Sequence, residues 1–153
     1  MKLVIQRVNS ASVAIASENE IYSHIGRGLL ILCGVGEGDT ISDAEALAKK
    51  TAALRIFNDE AGKMNLSVTD ISGEALVVSQ FTLFADCRHG NRPAFISAAV
   101  PHIANALYLR YAGSLAERGV PVKTGVFGAH MHIALENDGP VTILLDSREL
   151  GRK

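Results

Sequence analysis

The chain has no tryptophan, two cysteines and four prolines, and aromatic residues fill 5% of its 153 positions. With so few rings, aliphatic side chains must fill the core. Cys33 and Cys87 form no Cys-x-x-Cys pair and show no paired spacing. Two free cysteines suit a reducing compartment, so a cytoplasmic location is expected. An excess of one charge sign is missing too. Fifteen Lys and Arg face 16 Asp and Glu, a net charge of −1. The broad basic field of a protein that wraps duplex nucleic acid is therefore lacking. Any nucleic-acid contact should be local, at an end or a small patch. No apolar run approaches the ~18 residues of a membrane helix, and the opening Met1-Lys2-Leu3-Val4-Ile5-Gln6-Arg7 is too short an apolar run for a signal peptide. No membrane contact is expected.

What remains is ordinary globular composition, 48% apolar and 20% charged. A chain of this length fits one domain and hides roughly two-thirds of its unfolded surface without disulfides or metals. The expected domain is residues 1–146, followed by a loose charged tail, 147–153.

Strand patterns open the chain. Leu3, Ile5 and Arg7 alternate with Val4, Gln6 and Val8, and Val13 and Ile15 continue beyond Asn9-Ser10. After the polar turn Ser17-Glu18-Asn19-Glu20, residues 21–25 are expected to pair back, and Leu29 to Val35 reads as a buried strand. Cys33 lies inside that run as a small buried hydrophobe. A helix follows, with Ser42 as its expected N-cap and Glu45 completing a capping box. Ala44, Leu47, Ala48, Thr51 and Leu54 give its buried stripe. A hairpin-like excursion over Ile56 to Val68 and a long strand over Glu74 to Phe84 come next. Pro101 starts a second helix, with Ile103, Leu107, Tyr111 and Leu115 every four residues and Gly119 at its end. Strands are expected at 120–123, 131–137 and 141–146. This order implies an α+β fold, a mixed, largely antiparallel sheet curled around a barrel-like core with two main helices.

Two segments stand out. Asn137-Asp138-Gly139-Pro140 lies between two expected strands, where Asp-Gly is a strong hairpin signal. With Asp138 and Gly139 at the centre, the closing donor would be residue 140, and Pro140 has no N–H. The segment therefore reads as a functional backbone feature, and Gly-Pro is a candidate for a cis bond. The second segment is Ser79-Gln80-Phe81-Thr82. In a strand, Gln80 and Thr82 share a face, an amide and a hydroxyl one pleat apart. A nucleophilic Thr82 needs an adjacent base, and the segment holds no His or carboxylate. Other features are weaker. His130 and His132 share a face if extended but lack an evident third metal ligand. The glycines between Gly26 and Gly38 match no phosphate-loop spacing. No metal site and no cofactor are expected.

Ser79-Gln80-Phe81-Thr82-Leu83 and Asn137-Asp138-Gly139-Pro140-Val141-Thr142 resemble the two signature segments of the D-aminoacyl-tRNA deacylases. Gln6-Arg7-Val8, Gly62-Lys63-Met64-Asn65-Leu66, Gly90-Asn91-Arg92-Pro93-Ala94-Phe95 and Thr124-Gly125-Val126-Phe127-Gly128-Ala129 also match, in order, from Met1 to about Asp146. Ala94 departs slightly, standing where Ser is more usual. The resemblance implies a homodimeric carboxylic-ester hydrolase that frees D-amino acids from the 3′-terminal adenosine of tRNA, with active sites at the subunit interface. It implies that Ser79, Gln80, Phe81 and Thr82 line the catalytic pocket. It implies a cis Gly139-Pro140 pair, inserted into the partner's pocket to reject L-amino acids and steadied by Arg7. Asn137, Phe127 and Met131 join that substrate-binding group. A filter made of backbone carbonyls near Cα should also admit glycine, hence glycyl-tRNA, including glycine mischarged on the alanine tRNA. Of two catalytic routes, a Thr82 nucleophile or assistance from the tRNA 2′-hydroxyl, the missing local base favours the second. A non-catalytic adaptor that binds tRNA ends is the alternative.

Overall fold

The computed structural model describes residues 1–18 and 20–151. Asn19 of the expected polar turn, and Arg152 and Lys153 of the expected tail, lie outside the described residues. The described residues form eight strands and two α-helices: β1 (Lys2–Ile15), β2 (Ile21–Ile25), β3 (Gly28–Gly34), α1 (Ile41–Ala53), β4 (Phe57–Asn58), β5 (Met64–Leu66), β6 (Glu74–Ser79), α2 (Pro101–Ala116), β7 (Val122–Thr124) and β8 (Met131–Asp146).

The long strand β1 organises the sheet. One edge carries β3 along residues 2–8 and then β2 along residues 11–14. The opposite edge carries β8 from Lys2 to Ile15. All three pairings are antiparallel, whereas β3–β6 and β6–β7 are parallel. Parallel neighbours need a long crossover, and α1 and α2 lie in the two connections that supply one. The sheet curls until β2 meets β7. There Ser23 Oγ donates to the Thr124 carbonyl at 3.0 Å, and Lys123 Nζ donates to the His24 carbonyl at 2.7 Å. The result is the expected mixed sheet, nearly closed into a barrel, with two helices packed on it.

The core is aliphatic. Leu3, Ile5, Leu29, Ile31, Leu47 and Val77 pack in one cluster with the α2 residues Leu107, Tyr108, Tyr111 and Leu115. The two buried tyrosines find partners. Tyr111 Oη and Thr51 Oγ1 lie 3.0 Å apart and join the helices, and Tyr108 Oη donates to the Val77 carbonyl at 3.0 Å. Cys33 is buried, and burial pushes its thiol up to about 12, an inert hydrophobe as expected.

Several local expectations are corrected. The N-cap of α1 is Thr40, not Ser42. Thr40 Oγ1 accepts from the Asp43 N–H, and Asp43 Oδ2 accepts from the Thr40 N–H at 2.8 Å. Thr40 and Ser42 start overlapping capping frames, and Glu45 is drawn instead to Arg110. Ile103 is 43% exposed, so the buried face of α2 centres on the other stripe residues. The first residues after Asp146 are not loose. Ser147 to Glu149 form a 3-10 turn, and buried Ser147 donates its N–H to the Met1 carbonyl at 2.9 Å.

Candidate active site

Two of the expected strands take another form, and both changes shape the site. β6 stops at Ser79, and Phe81–Phe84 wind into a 3-10 turn. The reason is loss of a partner. Ser79 is the last β6 residue paired to β3, opposite Cys33, and β3 itself ends one residue later. Phe84 then folds over Gly36, where any Cβ would run into its ring. Gln80 and Thr82 are still brought together, but by the turn rather than by a pleat, and Gln80 Nε2 donates to Thr82 Oγ1. Neither the Phe81 nor the Thr82 N–H meets a protein acceptor among the described residues, as expected for the opening of a helical turn.

This turn forms the rim of a cavity of about 550 Å³. Ser79, Gln80 and Phe81 line one side, and Phe127 and Met131 line the other. The remaining wall includes Phe95 and Ala98, from the loop before α2, and Pro101 and Ala104 of α2 itself. Phe81 and Phe95 meet edge to face at 5.0 Å, so the rim is aromatic. Met131 is held by its surroundings. The Val126 N–H approaches its sulfur at 3.4 Å, and a Cβ at Gly125 would come within 2.7 Å of that sulfur. Among the described residues, His130 is the one ionisable side chain in the lining. Its ring lies 5.5 Å from that of His132, and no group of three His, Cys, Asp or Glu fit for a metal occurs among the described residues. Thr82 is exposed beside the cavity rather than in its wall.

Asn137 to Pro140 belong to a different place. Residues 131–137 and 142–146 both pair with β1 in the same direction, so β8 is one strand and not a hairpin. The register shows why. Gln6 pairs with Thr142 and Val8 with Asn137, so Arg7 alone faces the whole stretch 138–141. That stretch bulges from the sheet. Asn137 bridges its base, accepting from the Val141 N–H at 2.8 Å and donating to the Val141 carbonyl at 3.2 Å. A side-chain amide thus replaces the ladder partners the bulge has lost. Arg7 supports the bulge from inside. Its Nε donates to the Asp138 carbonyl at 2.8 Å, and its Nη1 to the Ile56 carbonyl at 2.8 Å. The Arg7 side chain is 8% exposed, and Asp138 Oδ2 lies 3.6 Å from Nε. Gly139, with φ +149°, and Pro140 form the exposed tip, and the peptide bond between them is cis.

The expected site residues therefore fall into two groups. Ser79, Gln80, Phe81, Phe127 and Met131 share the cavity, with Thr82 at its edge. Arg7, Asn137, Gly139 and Pro140 build the bulge. None of the bulge residues lines the cavity. Gly139 stands six residues beyond Ile133, the last β8 residue in the cavity wall, about 20 Å along an extended strand.

The model of the D-Tyr-tRNA(Tyr) deacylase family matches residues 4–146. The chain belongs to this family. It is 57% identical over 150 residues to a D-aminoacyl-tRNA deacylase of Thermotoga petrophila, covering 98% of this chain and 99% of that protein. It is 58% identical to the D-aminoacyl-tRNA deacylase of Thermomicrobium roseum, covering 98% and 96%. Among solved structures, a c-Myc DNA unwinding element binding protein superposes with a TM-score of 0.87 at 41% identity, covering 95% of this chain and 98% of that one. A probable eukaryotic D-amino acid tRNA deacylase, at 16% identity and a TM-score of 0.80 over 94% of this chain, shares the fold.

Proposed function

We propose that this family member hydrolyses the ester of D-aminoacyl-tRNA, releasing the free D-amino acid and the tRNA, and spares L-aminoacyl-tRNA. The observation that carries this reading is the family match across residues 4–146, with 57% identity to a D-aminoacyl-tRNA deacylase over 98% of the chain. The cavity suits the task. Its apolar and aromatic wall can take an amino-acid side chain and a base, while Ser79 and Gln80 offer polar contacts. The free Phe81 and Thr82 N–H groups can meet the oxygen that turns negative as water attacks the ester.

The bulge acts as the chiral filter, presented by a second copy of the chain. Two observations support this. Within one chain the tip lies too far along β8 to serve its own cavity. In addition, among the described residues β8 pairs with β1 alone, leaving a sixteen-residue strand with its other edge open. Its surface carries Leu135 and Leu144, which are 40% and 73% exposed. Such an edge favours an isologous pairing with itself. In this reading the active sites lie at the interface of a homodimer in the cytoplasm. The tip senses how the side chain leaves Cα, so glycyl-tRNA is also cleaved, including glycine mischarged on the alanine tRNA.

Catalysis rests on placement and on the vicinal 2′-hydroxyl of the terminal adenosine. Among the described residues no carboxylate lines the cavity, and the Thr82 hydroxyl is engaged by the Gln80 amide. A correctly held ester and its neighbouring hydroxyl can supply much of the rate. The test is paired deacylation of D- and L-tyrosyl-tRNA, with a 2′-deoxy terminus as a third substrate. Turnover of the D-ester alone is expected, and its loss with the 2′-deoxy substrate. Equal cleavage of both enantiomers would end the chiral reading. Tight tRNA binding without turnover would favour an adaptor that only holds tRNA ends.

A further inference from the structure

The walls of the cavity have a second side. Behind the 3-10 turn, Lys2, Phe84, Asp86, Arg88, Ser97 and Arg148 help line a separate cleft of about 550 Å³. The two hollows share a partition. Phe81 and Phe95 face the first, and Phe84 and Ser97 face the second. Along a 3-10 turn the step from Phe81 to Phe84 is about 6 Å.

The cleft is locally basic in a chain of net charge −1, with three cations and one carboxylate in its lining. Asp86 is engaged by Arg88, Nε to Oδ1 at 2.9 Å and Nη2 to Oδ2 at 2.7 Å. This ion pair engages Nε and Nη2 and leaves Arg88 Nη1 without a protein partner among the described residues. Lys2 and Arg148 have no carboxylate within 4 Å among the described residues. Their partners are neutral. The Lys2 ammonium lies 4.9 Å from the centre of the Phe84 ring, and Arg148 Nη2 reaches the Glu37 carbonyl at 3.4 Å. Two cations without a direct ion pair thus border one concavity, next to the cavity assigned to the terminal adenosine, with Asp146 opposite Lys2 in the sheet.

We infer that this cleft is the phosphodiester track for the single-stranded 3′ end of the tRNA. It takes the phosphates just before the terminal adenosine, while the adenosine and its amino acid occupy the cavity across the partition. The inference rests on the deacylase reading and names where the rest of the substrate lies. A short strand with a few phosphates fits a small basic cleft, whereas a duplex would need a broader field.

The test compares the wild-type chain with the double variant Lys2→Gln/Arg148→Gln, using Lys49→Gln on the exposed face of α1 as a control. Affinity for uncharged tRNA is followed by fluorescence anisotropy from about 50 to about 200 mM salt. Each lost contact to a single strand removes about 0.7 from the salt slope, so the variant's affinity should fall roughly sevenfold less than the wild type's over that range. On D-tyrosyl-tRNA its kcat/KM should drop through KM. On D-tyrosyl-adenosine, which has no phosphate, it should equal the wild type. A variant salt slope equal to the wild type's would overturn the track, as would an equal fractional loss on both substrates. The slope is read on uncharged tRNA, so it decides the track independently. Failure of the wild type to cleave D-tyrosyl-tRNA would sink the deacylase reading instead.

Discussion

The cavity behind Ser79–Phe81 and the bulge at Asp138–Val141 are built by opposite means. The cavity is made by burial and shape. Side chains from β6, α2, β8 and the loop at 95–98 converge on one hollow inside a single chain. The bulge is made by hydrogen bonds at the surface. One buried guanidinium and one amide replace the ladder of a whole stretch of strand. The difference teaches where each part can work. A hollow can receive a ligand without help, whereas an exposed backbone tip acts only on something brought to it. This asymmetry is the physical reason for assigning them to different copies of the chain.

The comparison can be broken most severely at the cavity. Ala98→Trp places an indole in the hollow from a loop, away from the sheet. Deacylation of D-tyrosyl-tRNA should fall on the order of a hundredfold or more, since misplacing a substrate by about 1 Å can cost that much. Near-normal turnover with an unchanged urea midpoint would place the chemistry elsewhere.

The bulge should respond differently. Arg7→Ala leaves the Asp138 and Ile56 carbonyls without their charged donor. Each such bond contributes about 1.5–3 kcal/mol, so a stability loss of at least about 2 kcal/mol is expected in urea unfolding. Its activity on D-tyrosyl-tRNA should largely persist, while the D-over-L ratio falls at least tenfold, equivalent to ~1.4 kcal/mol. Arg7→Lys keeps the charge without the fork and should lie between. Unchanged discrimination in a folded Arg7→Ala protein would remove the bulge from the filter.

The smallest effects are expected at the two side chains that most resemble catalytic groups. A general base contributes about 10²- to 10⁴-fold. Thr82→Ala and His130→Ala should each keep kcat within about fivefold of the wild type if the 2′-hydroxyl route proposed above carries the reaction. A hundredfold loss in either, with tRNA binding intact, would restore a nucleophile or a base and displace the 2′-hydroxyl.

Much of this was legible from the residues. The alternation of Leu3 and Ile5 with Val4 and Gln6 marks β1, and the spacing of Leu107, Tyr111 and Leu115 marks α2, because each periodicity reports one buried face. Pro140 was informative for a local reason, since a missing N–H forbids the simple hairpin. What the pattern missed depends on distant contacts. Phe81 to Phe84 have strand-like composition, and only the end of β3 at Gly34 and the packing of Phe84 over Gly36 turn them into a 3-10 turn. Phe95, Ala98 and Pro101 line the cavity from a loop and a helix start, which carry no periodic signal. The continuity of β8 was hidden because Asn137 and Arg7 supply its missing links from the side.

The central claim is that one copy's cavity is completed by the other copy's bulge, and mixing two defective chains tests it most directly. Ala98→Trp spoils the cavity and leaves the bulge intact. Gly139→Ala spoils the bulge, since a Cβ there would come within 2.7 Å of Val141, and leaves the cavity intact. Co-refolding the two should create mixed dimers with one wild-type site, restoring turnover of D-tyrosyl-tRNA that spares L-tyrosyl-tRNA. If the mixture shows only the summed behaviour of the separate variants, although mixed dimers form, cavity and bulge do not work across copies and the account fails.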